Sequence, residues 1–322
     1  MNNKTPSITV CICTFNRCKR LKPLITELRK QTSPIPFDIL IINNNSTDQT
    51  EDVLQKLIKE EGIPLRYVTE SQQGISYARN RAISECLDMD YMLFMDDDEM
   101  PVQGLINAAT DALINENAAY VGGRVEVCFD GIVRPPWLSD SLMGFLSETD
   151  YGAESLWISD TLKPLWTANI AYNMAIYRDN PSLRFDLRYN RKGDGVGGGE
   201  DKLMFDQLVD RKYRIRYRPD MIVKHHIDSW KIKRSYFLKL HFVAGIKQGR
   251  YELEKYSNSI CGVPLFLFNQ AVKQTLKWLK LGLTSDPESM RQGMNVAHAL
   301  GLIWGCFLKW KDKFLLEEGG RP

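Results

Sequence analysis

An α/β layered domain with a mostly parallel sheet flanked by helices, followed by a helical C-terminal region, is the fold this sequence predicts. Three observations carry that expectation. Short apolar runs alternate with amphipathic stretches of helical period through the first third of the chain. The apolar runs end in clusters of polar or acidic side chains, as strands do where a layered sheet displays chemistry. From Ser229 the pattern is helical to about Glu318.

Taken in order, SITVCICTF (Ser7–Phe15) is a β-rich run, and LKPLITELRKQ follows with Leu21, Leu24, Ile25 and Leu28 at helical spacing and Pro23 in its first turn. FDILIINNNSTD is a second buried strand ending in Asn and Ser. Asp48 or Thr50 caps the next helix, whose apolar stripe is Val53, Leu54, Leu57 and Ile58. PLRYVTE reads as a third strand, GISYARNRAISECL as a third helix and YMLFMDDD as a fourth strand. Residues 119–190 are less regular, with VGGRVEVCF as a strand and RPPWLSD as a turn. GVGGGEDKLMFDQLVDRKYRIRYRPDMIVKHH supplies a Gly-rich loop, a helix and strands, and Pro264 and TSDPES punctuate the helical tail. This gives a first domain over residues 1–228, divided at 118/119, and a basic, partly apolar helical region over 229–322.

With 322 residues, 43% hydrophobic and 25% charged, the chain can bury a sizeable core, which excludes wholesale disorder. Its charge is uneven. From Trp230 onward 15 basic residues face 7 acidic ones, against 27 and 33 in the residues before. The basic tail suits an anionic membrane surface or a solvated helical face. Seven cysteines without disulfide rhythm, and an N-terminus without a signal pattern, point to a reducing cytosol. Cys11, Cys13 and Cys18 read as strand cysteines rather than metal ligands. NVAHALGLIWGCFLKW (Asn295–Trp310) is the most apolar stretch, too short to span a bilayer, and suits a buried or monotopic helix.

The residues that carry chemistry lie at the predicted strand ends. DDDE (Asp96–Glu99) packs four carboxylates after a buried strand, and Asp96 and Asp98, two apart, can share a hard divalent cation with substrate phosphates. The alternative is an acidic turn capping the helix near Gly104–Leu113. Thr14–Arg17 offers backbone groups and a guanidinium, Asn43–Asp48 offers amides and an acid, and Arg79 can reach a phosphate or base. In GGGED, Glu200 and Asp201 open a helix. They are there for the helix dipole, or one is a general base. His225 and His226 close a strand and point to opposite faces, so one can face the crevice. Trp137 and Trp166 stack on sugars or pack in the core.

In their order and spacing, SITVCICTFNRCKRL, FDILIINNNSTD, GISYARNRAI, LFMDDDE, NMAIYR and the run from GGGED to MIVKHH resemble the motifs of glycosyltransferase family 2 over roughly residues 7–226. That resemblance implies the GT-A (Rossmann-like) fold and an inverting, nucleotide-sugar-dependent enzyme, with residues 1–118 as nucleotide-binding half and 119–228 as acceptor half. It implies an Asp-x-Asp metal and nucleotide motif at Asp96–Asp98 and a catalytic base at Asp201. Thr14, Asn16, Asn44, Asp48 and Arg79 match nucleotide-contacting positions, and Asn173 matches one near donor sugar and acceptor. Phe15, Arg17, Asp97 and Glu200 complete the expected donor-binding set. Asp98, Asp96 and His226 are the expected ligands for Mg²⁺ or Mn²⁺. The chain departs from the family at Asn43 and Asn44, where aspartate is frequent. The Asn carbonyl can still accept a ring N–H from uracil, so a UDP-sugar is favoured. Tyr172 stands where glycine is common and would reshape the sugar pocket. The expected partners are a carbohydrate or lipid-linked acceptor and, from the basic tail, an anionic membrane surface, with no nucleic acid. The implied location is cytoplasmic and peripheral at the inner face of the plasma membrane. A nucleotidyltransferase acting on sugar phosphates is the rival enzyme class, and a non-catalytic nucleotide-sugar-binding protein the third reading. Intact Asp98 and Asp201 argue against the last.

Overall fold

A computed structural model describes residues 5–192, 195–283, 286 and 288–318. The expectations resting on residues 1–4, and on 284, 285 and 287 within TSDPES, lie outside the described residues. Contacts divide the chain into two compact units. One comprises Met1–Gly131, Met143–Asp194 and Gly199–Ile227, and the other Ile132–Leu142, Gly195–Gly198 and Asp228–Pro322.

The first unit runs β1 (Ile8–Thr14), α1 (Cys18–Arg29), β2 (Phe37–Asn43), α2 (Thr50–Leu57), β3 (Leu65–Thr69), α3 (Ile75–Glu85), β4 (Tyr91–Asp96), β5 (Glu99–Pro101) and α4 (Leu105–Ile114). It continues with β6 (Tyr120–Cys128), β7 (Leu156–Ile158), β8 (Asn169–Asn173), α5 (Ala175–Asp179), α6 (Glu200–Asp210) and the long strand β9 (Ile215–His226). The sheet order is β3-β2-β1-β4-β8-β6-β9-β5, with β7 also on β9. The strands β3-β2-β1-β4 are all parallel, and β8 enters antiparallel between β4 and β6. Strand order reverses direction at β1/β4, the switch point outside which layered sheets bind ligands.

Period-2 alternation sorts the buried strands onto two faces. Ile8, Val10, Ile12, Ile39, Ile41 and Leu93 pack with the apolar stripes of α1, α2 and α4. Cys11, Leu40, Ile42, Met92 and Phe94 face the other way, onto Ala78, Ala82 and Ile83 of α3 and Phe205 and Leu208 of α6. α1 begins at Cys18, earlier than expected, so Pro23 lies inside the helix beyond its first turn. Trp166 packs against the first of these cores.

The second unit holds α7 (Arg234–Lys247), a π-helical continuation over Gln248–Glu252, a short hairpin β10 (Ser259–Ile260) and β11 (Val263–Pro264), α8 (Leu265–Leu283) and α9 (Ser289–Glu318). The hairpin falls where Pro264 is expected to punctuate the helical tail. Glycines set how α7 and α9 meet. A Cβ on Gly245 would come within 2.2 Å of His298 O, and one on Gly301 within 2.1 Å of Phe242 O. Gly249 and Gly305 repeat the contact one turn on. Two small-xxx-small pairs therefore interlock backbone to backbone, and no larger residue fits without parting the helices. Asn295–Trp310 is consequently part of a packed helix rather than a free apolar segment. Trp137 meets Phe237 edge-on at 5.2 Å in this unit.

Candidate functional site

The site lies in the first unit, at the carboxyl ends of β1, β2 and β4. Two loops are cross-tied there. Asn16, in the left-handed region at φ 52°, accepts through Oδ1 from Thr47 N at 2.7 Å and from Asp48 N at 3.3 Å. Asp48 accepts from Cys18 N at 3.2 Å and from Thr50 N at 2.9 Å, so one carboxylate holds the starts of α1 and α2. Burial pushes that carboxyl up, but the bonds from Thr50 and Cys18 outweigh it and hold it below the usual range. Phe15 and Arg17 are half-buried in the same turn.

The four adjacent acids do not form one block of charge. Asp96 Oδ1 lies 3.5 Å from the Arg79 guanidinium. Asp97 accepts from Thr14 Oγ1 at 2.6 Å, joining β1 to β4. Its burial and the charge of Asp98 push the Asp97 carboxyl up to about 7. Asp98 Oδ2 lies 3.4 Å from His225 Nε2. Glu99, fully buried, turns back to accept the Asp96 amide at 3.0 Å.

Arg79 is the positive partner these acids require. It is buried on α3 and donates to Glu200 Oε1 at 2.9 Å while facing Asp96. Burial works against the guanidinium, but Glu200 and Asp96 more than offset it and keep it charged. Burial, with Asp201 beside it, raises the Glu200 carboxyl, and Glu200 Oε2 has no hydrogen-bond partner among the described residues. One side chain thus ties the end of β4 to the start of α6, bringing the Asp96–Asp98 and Glu200–Asp201 stations together. Gly199 caps α6 at φ 108°, and Asp201 Oδ1 accepts from Lys202 N at 2.9 Å.

Three expectations change. His225, not His226, faces Asp98: His226 Nδ1 pairs with Asp130 on the opposite strand face. Asn173 pairs with Tyr91 because β8 is antiparallel to β4, which sets it roughly 16 Å along the strand from Asp96. Asn169, beside Met95 at the site end of β8, was missed. Its amide donates to Arg124 O and Met221 O where the β6/β9 register slips. Tyr172 is core, packed on Phe94, Tyr120 and Tyr177, rather than pocket wall. Asn44 is buried and spends its amide on Glu70 O and Gln72 O and its carbonyl on Gly74 N at 2.7 Å, fixing the turn into α3. Gly74 has φ 137° and a Cβ there would strike the Asn190 side chain. Burial pushes the Cys13 thiol up to about 12, leaving no thiolate for metal.

Among the described residues no group of three or more His, Cys, Asp or Glu converges as a metal cage. The donor set suits a hard cation that takes its other ligands from substrate oxygens. His225 Nδ1 lies 2.9 Å from Leu146 O and donates to it, which leaves Nε2 facing Asp98. That places a ring nitrogen and a carboxylate oxygen 3.4 Å apart, a pair of donor atoms that a hard cation could use.

The model of a family described as Glycosyl transferase family 2 matches residues 9–180. Over 120 residues the chain is 26% identical to a GalNAc(5)-diNAcBac-PP-undecaprenol beta-1,3-glucosyltransferase of Campylobacter jejuni, covering 37% of this chain and 38% of that protein. Over 150 residues it is 25% identical to a chondroitin synthase of Pasteurella multocida, covering 46% and 15%. The chain therefore spans well under half the length of these curated relatives. Among solved structures, a mannosyltransferase from Pyrobaculum calidifontis in complex with GDP-Man and Mn²⁺ superposes with TM-score 0.52 at 14% identity, covering 99% of this chain and 77% of that one. S. aureus TarS 1-349 superposes with TM-score 0.51 at 15% identity, covering 97% and 92%. At these identities the likeness establishes a fold shared with GT-A glycosyltransferases.

Proposed function

Because this chain belongs to glycosyl transferase family 2, we propose that its first unit moves a sugar from a nucleoside diphosphate donor to an acceptor hydroxyl with inversion. The observation that carries this reading is Arg79, bound at once to the carboxylate of Glu200 and facing that of Asp96. It sets the station next to the leaving diphosphate beside the station that holds the base.

Asp201 takes the proton of the acceptor hydroxyl as that oxygen bonds to the anomeric carbon. The bond from that carbon to the diphosphate breaks on the opposite face, and the nucleoside diphosphate leaves with the electron pair. The hydrogen bond from Lys202 N steadies the Asp201 carboxylate, while Lys202 Nζ is engaged by Asp206 at 2.5 Å and does not compete for it. Thr14 and Asp97 lock β1 to β4 under the donor, and the Asn16–Asp48 ties keep the two nucleotide loops in one arrangement. Asp96, Asp98 and His225 are the residues that would hold Mg²⁺ or Mn²⁺, which when bound supplies charge stabilisation for the departing diphosphate. The acceptor class is a lipid-linked or polymeric carbohydrate, the kinds of molecule named for the two curated relatives.

The test is incubation with Mn²⁺ and a panel of UDP-, GDP- and dTDP-sugars, with nucleotide products resolved by chromatography. Slow release of one nucleoside diphosphate from its sugar, lost in Asp98→Ala, supports the reading. Asp201→Asn should retain donor binding by thermal shift and lose transfer about 10²–10⁴-fold. Release of pyrophosphate instead would mark a nucleotidyltransferase, and a fully active Asp201→Asn would remove the base.

A further inference from the structure

The helical unit carries a surface that sugar transfer does not use. On α8 the side chains of Leu265, Phe268, Val272, Leu276, Leu279 and Leu283 are all exposed, between 37% and 88%. They recur at steps of three and four residues and fall within about 80° of the helix circumference at 100° per residue. The buried contacts of the same helix, Leu267 and Ala271, lie on a different face. Lys273, Lys277 and Lys280 are exposed along one edge of the stripe. No Asp or Glu occurs anywhere in Leu265–Leu283. α9 adds half-exposed Trp304, Trp310 and Phe314, with Trp304 stacked on Phe307 and Trp310 on Phe314.

We propose that α8 is an interfacial helix, lying flat on an anionic lipid bilayer with its leucine-rich stripe in the acyl boundary and its lysines at the headgroups. The stripe keeps the 3.6-residue period of a straight helix. It therefore stays on one line against a plane, whereas a coiled-coil seam requires 3.5. A second copy of α8 would also bring lysine edges of the same sign together. An anionic bilayer meets the apolar side chains and the lysines at once, and tryptophan suits the depth where the two regions join. No helix among the described residues is long and apolar enough to cross a membrane. The inference stands on the helical unit alone, independent of the transferase reading.

The full chain is mixed with vesicles of phosphatidylcholine alone, or with 30% phosphatidylglycerol, and pelleted over a series of salt concentrations. Binding to the phosphatidylglycerol vesicles at low salt, weakening as salt rises, is expected. Lys273→Gln/Lys277→Gln/Lys280→Gln should weaken it on the order of a hundredfold. Leu276→Asp/Leu279→Asp, at exposed positions that keep the fold, should abolish it while circular dichroism stays unchanged. Three results overturn the proposal: no pelleting with the anionic vesicles at low salt, equal pelleting with both vesicle types, or full binding by the double aspartate variant. A concentration-dependent dimer in light scattering, dissolved by that variant, would show a second copy covering the stripe and overturn it as well.

Discussion

Replacing Arg79 by Met tests whether one cation balances two acid stations. The methionine keeps the packing volume over Phe185, on whose ring the guanidinium lies at 5.5 Å, and removes only charge and hydrogen bonds. Arg79 and Glu200 are each 6% exposed at 2.9 Å, and removing one member of such a pair costs about 3–5 kcal/mol. Asp96, 39% exposed and 3.5 Å away, adds less than about 1 kcal/mol. Glu200 has an escape: its carboxyl is already raised above 4.5 by burial, and without Arg79 it rises further and takes up a proton. A carboxyl with a raised folded pKa contributes stability fully present below its unfolded value and lost as pH rises through the folded one. The deficit of Arg79→Met therefore grows with pH, by up to about 1.4 kcal/mol per unit between the unfolded and folded values, and levels off above the folded one. Urea unfolding at pH 5 and pH 8 measures it. Adding Glu200→Gln should recover more than half of the loss at pH 8 and little at pH 5. An Arg79→Met midpoint equal to wild type at pH 8, or one deficit at both pH values, refutes the reasoning.

Other substitutions separate neighbouring roles. His225→Ala should weaken Mn²⁺ binding in the presence of UDP about 10–100-fold by calorimetry, while His226→Ala, whose ring pairs with Asp130, should change it less than about twofold. Gly301→Leu forces a side chain into Phe242 O and should destabilise the helical unit by about 3 kcal/mol or more, seen as proteolytic cleavage after Asp228 in the full chain at low urea. Arg218→Met removes the partner of Asp111, Glu116 and Asp220 and should cost about 1–2 kcal/mol at pH 7. Arg218 holds the Asp111 and Asp220 carboxyls below their usual range, a contribution present above their unfolded pKa and lost as pH falls through the folded one. The gap between wild type and variant should therefore close toward pH 3, and a gap that widens there would exclude this origin.

What could be read without coordinates depended on the range of the interaction. Alternation of Ile8, Val10 and Ile12 against Cys11, and the helical spacing of Leu21, Leu24, Ile25 and Leu28, are local patterns, and the parallel half of the sheet follows from them. Strand direction is not local. Nothing in NIAYN shows that β8 runs against β4, and that reversal exchanges Asn173 for Asn169 at the site. Likewise, alternation says that His225 and His226 face apart, but the Leu146 carbonyl and Asp98 decide which ring turns inward. The acid cluster follows the same division. Four successive carboxylates at the end of an apolar strand imply an unusual demand for compensation, which the sequence displays, but not its source. The fold meets that demand four separate ways: a guanidinium for Asp96, a hydroxyl for Asp97, an imidazole for Asp98, and a backbone amide for Glu99. Two of those partners, Arg79 and His225, come from α3 and β9, far apart in sequence. Assembling the acids therefore requires that most of the sheet already be in place, so the site can form only with the fold and not ahead of it.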